Sequence, residues 1–87
     1  MNWFKIKVQE GNDDYTYNGS STHSLDELVE QAIAGKFIRL DDMFYTDRGE
    51  VKDWASWDKR EIPSVRINPK VIIAIQQYKT DPKTLAK

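Results

Sequence analysis

Apolar and polar side chains begin to alternate almost at the N-terminus. Phe4, Ile6 and Val8 fall on one side, and Lys5, Lys7 and Gln9 on the other. This two-residue period predicts a strand with one buried face and one wet face. Glu10 to Asp14 has turn composition, and Tyr15-Thr16-Tyr17 reads as a short second strand, so a hairpin with a longer loop is expected. Asn18-Gly19 breaks that strand, and the polar Ser20-Ser21-Thr22 reads as linker.

The period then changes. Leu25, Leu28, Val29, Ala32 and Ile33 recur at helical spacing and make one apolar stripe, expected to lie against the sheet. Ser24 with Glu27 three residues later has the form of a capping box. Asp26 and Glu27 stand where the helix dipole favours negative charge. Gly35 stands where a left-handed residue ends a helix.

Phe37 to Thr46 predicts one bent strand or two short ones, interrupted at Asp41-Asp42. Asp47-Arg48-Gly49-Glu50 reads as a tight turn and Val51 as the start of the return. The pattern dissolves from Lys52 to Glu61. Pro63 marks an edge or a strand start, Ser64 to Ile67 is a strand, and Asn68-Pro69 turns or bulges the chain. Val71 to Tyr78 is the last strand. Val71 to Ile75 is the longest apolar run and rich in β-branched residues, so it is expected to be buried on both faces. On that expectation Ile73→Ala would cost about 2–5 kcal/mol. The fold class is α+β in the order ββαββββ, a small curved antiparallel sheet with one amphipathic helix packed on it. Such a sheet either stays open or curls into a partly open barrel.

At 87 residues the chain has room for one core. Residues 1–80 read as a single globular domain and residues 81–87 as a short polar tail. Hydrophobic residues make up 39% and aromatics 11%, enough to fold and to set disorder aside. The formal charge of −1 implies no bulk attraction to phosphate. Without cysteine there is neither a disulfide nor a thiolate metal site. No segment approaches the roughly 20 apolar residues of a membrane helix, and Lys5 comes too early for a signal peptide. The expected setting is cytoplasmic, with no membrane association.

Catalytic chemistry finds few parts to use. His23 is the one histidine and reads as a surface residue beside the helix cap, which leaves no metal set and no nucleophile relay. Asp41, Asp42 and Asp47 lack the spacing and the closing glutamate of a calcium loop. The glycines stand singly at turns and form no phosphate loop. Neither an enzyme nor a cofactor is expected.

Function is expected from a surface. Trp54 and Trp57 stand three apart in a charged segment, on one side of a helical turn if one forms there. Packed under the loop they would extend the core. Exposed, they would anchor a partner, since Trp and Arg dominate interface hot spots. The expected role is a non-catalytic binding or regulatory module acting through a protein partner. The alternative is nucleic-acid binding, with Trp54 or Trp57 stacking on bases while Lys52, Lys59, Arg60, Arg66 and Lys70 grip phosphates. Asp53, Asp58 and Glu61 in the same stretch oppose it. An open sheet edge is a third route, able to take a partner strand or a second copy as a homo-oligomer.

Overall fold

The structure, a computed structural model, describes residues 1–47, 50–53 and 64–82. Strands β1 (Asn2–Glu10) and β2 (Asp13–Ser21) precede helix α1 (Leu25–Ile33). Strands β3 (Ile38–Asp47), β4 (Glu50–Asp53), β5 (Ser64–Ile67) and β6 (Ile72–Gln77) follow, so the order is ββαββββ. All observed strand pairings are antiparallel, and the hydrogen-bonded path runs β4-β3-β2-β1-β6. β5 lies off that path. It takes the Ile38–Asp41 half of β3, and β4 takes the Phe44–Asp47 half. Among the described residues β4 and β6 do not meet, so the sheet does not close into a barrel.

The first hairpin is tighter than the sequence suggests. Asn2–Glu10 pairs residue for residue with Asp13–Ser21, leaving a two-residue connection, Gly11-Asn12. Gly11 has φ +60, the conformation that the first central position of a type II′ turn demands. β2 also runs further than expected, because Ser20 and Ser21 are buried strand residues and not linker. Their hydroxyls explain how. Ser20 Oγ donates to Asp42 Oδ2 at 2.8 Å, and Ser21 Oγ accepts from the His23 backbone N–H at 3.1 Å. Buried hydroxyls with partners cost little, whereas orphaned ones would not be tolerated there.

β3 is one bent strand. Asn18 opposes Phe44 and Ser20 opposes Asp41, so β3 spends one residue more than β2 over that interval. That is a β-bulge, and Asp42 absorbs it with φ +47. Beside it the backbones crowd together. A Cβ at Gly19 would sit 2.7 Å from the Asp41 carbonyl oxygen and 2.9 Å from Met43 Sδ.

The core lies between one sheet face and α1. Phe4, Ile6 and Val8 from β1, Ile38, Leu40 and Met43 from β3, Ile67 from β5 and Leu28 from the helix form it. α1 has both predicted ends. Ser24 Oγ accepts from the Glu27 N–H at 3.1 Å, and Glu27 Oε1 accepts from the Ser24 N–H at 3.0 Å. At the other end the Gly35 N–H reaches the Ala32 carbonyl and the Lys36 N–H reaches the Gln31 carbonyl, a Schellman pair with Gly35 at φ +77. The buried stripe is narrower than the sequence implies. Leu25, Leu28 and Ala32 pack inward, while Val29 and Ile33 are exposed, Ile33 at 82%.

The largest correction concerns the C-terminal apolar run. Val71 ends a 3-10 turn (Pro69–Val71), and β6 is the outermost strand of the path, paired with β1 alone among the described residues. Ile72 and Ile75 pack against the core, but Ile73 is 59% exposed. The reason is a second bulge. β1 steps from Lys7 to Val8 while β6 steps from Ala74 to Ile72, so Ile73 is the extra residue and leaves the core face. β1 and β3 supply most of the buried core, and β2 stands between them at the centre of the sheet.

The opposite sheet face carries a smaller aromatic group. Trp3 meets Phe44 edge-on at 5.9 Å between ring centres, and Phe44 meets Tyr78 at 6.0 Å. The Tyr78 hydroxyl donates to Asn18 Oδ1 at 2.8 Å, which satisfies a buried amide, and burial raises the Tyr78 pKa. Lys5 Nζ lies 5.7 Å from the Tyr78 ring centre, within cation–π range.

Candidate functional site

The pairing of β3 with β5 builds the most distinctive surface among the described residues. Ile38 and Leu40 of β3 point into the core, as does Ile67 of β5, so the alternation puts Arg39 and Arg66 outside. The register sets Arg39 directly opposite Arg66. Directly opposed residues of an antiparallel pair have Cβ atoms about 4.5–5.5 Å apart, and like charges there repel. Asp41, two residues on, relieves part of the repulsion by accepting from Arg39 Nε at 2.9 Å.

Two lysines extend the positive charge. Ile38 opposes Ile67, so Lys36 before β3 and Lys70 after β5 leave the sheet at the same end, and both are exposed. Lys70 is fixed by the local chain. Asn68 Oδ1 accepts from the Lys70 N–H at 3.0 Å and caps the 3-10 turn, whose first position Pro69 suits. Phe37 is 57% exposed at the same end. This end of the β3–β5 pair thus carries Lys36, Phe37, Arg39, Arg66 and Lys70, all exposed, with Asp41 as the counter-charge of Arg39.

A cleft of about 370 Å³ opens beside it, lined by Ser21, Thr22, His23, Gln31, Phe37, Arg39 and Asp41. The end of β2, the start of β3 and one side of α1 form its walls. His23 Nδ1 lies 3.2 Å from Glu27 Oε2, and the Glu27 pKa is lowered, first by the Ser24 backbone N–H and then by His23. Asn2 Nδ2 donates to the His23 carbonyl at 2.9 Å, which ties this wall to the start of β1. Hydroxyls, an imidazole, an amide and a guanidinium line an open polar recess together with the Asp41 carboxylate and the Phe37 ring.

Of the residues singled out in the sequence, Arg66 and Lys70 belong to this corner. Trp54, Trp57, Lys59 and Arg60 lie outside the described residues, and Lys52 is placed only by its backbone, opposite Tyr45. His23 stands beside the helix cap as expected and also lines the cleft. Asp41 and Asp42, which interrupt the apolar pattern in the sequence, lie at the bulge of β3. The sequence reading missed Arg39 and Lys36. Arg39 was marked by its outward place between Ile38 and Leu40, but only the β3–β5 register shows that it meets Arg66. Among the described residues no three metal-ligating side chains converge, and no helix is long and apolar enough to cross a membrane.

Comparison with protein-family models, with curated proteins and with solved structures found no match.

Proposed function

We propose that the protein is a non-catalytic binding module whose basic corner holds an acidic segment of a protein partner. The observation that carries this is Arg39 opposite Arg66 on an outward sheet face. Asp41 offsets one of the two charges, and the repulsion that remains is relieved further by an anionic ligand. The strand register fixes both arginine backbones side by side, so the two guanidinium groups leave the sheet from neighbouring positions. The adjoining cleft offers donors for a second carboxylate, and Phe37 offers an apolar contact between charges. Because the chain as a whole is slightly acidic, the attraction is local and confined to this corner.

Titration with a hexaglutamate peptide, followed by amide chemical shifts, tests this. Shifts are expected at Phe37, Arg39 and Arg66, weakening as salt rises. The double variant Arg39→Glu/Arg66→Glu should lose at least tenfold in affinity. A peptide that moves no resonance in this region sinks the proposal. An oligothymidine that binds there while the peptide does not replaces it with the nucleic-acid alternative.

A further inference from the structure

We infer that the edge of β6 that has no neighbour among the described residues pairs with the same strand of a second copy of this chain. Among the described residues β6 has a neighbour on one side only. The Tyr78 N–H donates to the Trp3 carbonyl at 2.8 Å, which makes Trp3 and Tyr78 a hydrogen-bonded pair. Antiparallel pairs alternate between bonded and non-bonded, so Gln76 and Ala74 also turn their backbone groups toward β1. Ile75 and Gln77 therefore direct theirs to the open side. An edge of this kind is a template for another strand.

What selects the occupant is charge. In a twofold antiparallel pair a strand meets its own sequence, so any charge in it faces its own kind or must find a partner in register. Ile72–Gln77 reads Ile-Ile-Ala-Ile-Gln-Gln and carries no charge, in a chain of which 31% is charged. Every antiparallel register of this segment on itself sets neutral against neutral. The other edge strands differ. β4 reads Glu-Val-Lys-Asp, and β5 contains Arg66. Charge is the usual protection of an edge, and β6 lacks it. The bulge at Ile73 distorts only the first end of the strand, leaving Ala74 to Gln77 regular, and it places an apolar side chain outside at the same edge.

The test is molar mass against concentration, by sedimentation, together with amide hydrogen exchange. The expected result is a rise from 10.2 kDa to twice that value on concentrating the protein. Protection of the Ile75 and Gln77 amides should rise with the mass. Ile73→Lys adds a charge at an exposed position, and Gln77→Pro removes an outward backbone donor without breaking a backbone bond to β1, at the loss of the long Gln77 Nε2 to Asn2 Oδ1 contact of 3.5 Å. Each should return the mass to 10.2 kDa at concentrations where the parent chain is paired, with an unchanged circular dichroism spectrum. If one variant fails to fold, the other and the exchange data still decide. A single 10.2 kDa species up to about 1 mM overturns the inference. So does a dimer in which the Ile75 and Gln77 amides exchange at the monomer's rate.

Discussion

Single residues decide several local structures here. Ser24 closes both hydrogen bonds of its capping box, so Ser24→Ala should cost on the order of 1 kcal/mol in urea unfolding. Glu27 is the acidic half of that box. Its carboxylate accepts the Ser24 N–H and lies beside His23, which lowers its pKa from 4.5. A group with a depressed folded pKa lends stability that is fully present above its unfolded value and disappears as pH falls through its folded value. The difference in unfolding midpoint between the parent and Glu27→Gln should therefore shrink as pH falls below about 4.5. Gly19 is needed for another reason. With the Asp41 carbonyl 2.7 Å from where a Cβ would stand, Gly19→Ala must push two strands apart at the bulge, at about 1–3 kcal/mol. Urea midpoints for this substitution and for Gly11→Ala would separate crowding from backbone strain, since nothing lies within 4 Å of a Cβ at Gly11.

Among the elements, β1 and β6 exchange the importance that their sequences suggest. Ile6 is fully buried on β1, and Ile73 stands out of the edge strand. Ile6→Ala should cost about 2–5 kcal/mol and Ile73→Ala well under 1 kcal/mol, both read from urea unfolding. A five-residue apolar run identifies a strand but not its neighbours, and burial depends on the neighbours. The helix was more legible. Its caps depend on residues five or fewer positions apart, and both ends form as the sequence implies. The width of its buried stripe was not legible, because the sheet beneath covers Leu25, Leu28 and Ala32 but does not reach around to Ile33. Ser20 and Ser21 were misread for a related reason. Ser21 is bonded only two residues on, by the His23 N–H, but the Ser20 partner is Asp42, 22 residues away, and no local pattern shows that a hydroxyl will be satisfied at that distance.

At the scale of the whole molecule, topology makes the candidate site. Arg39 and Arg66 are 27 residues apart in the chain and directly opposed in the sheet. Half of the corner could be read in advance, since Arg66 and Lys70 stood out as cations near an aromatic segment. The other half needed the β3–β5 register. The two proposed contacts use different strands, so the charge-reversed corner should leave pairing through β6 intact.

The two-residue connection at Gly11-Asn12 has a practical consequence. β1 and β2 run for nine residues each, so at about 3.3 Å per residue the hairpin tip stands some 26 Å from the Ser21 end of the cleft. The chain has no native thiol. One cysteine in place of Asn12 would accept a single dye at a known address, remote from the arginines, and energy transfer from it would then follow a labelled peptide arriving at the far end of the same hairpin.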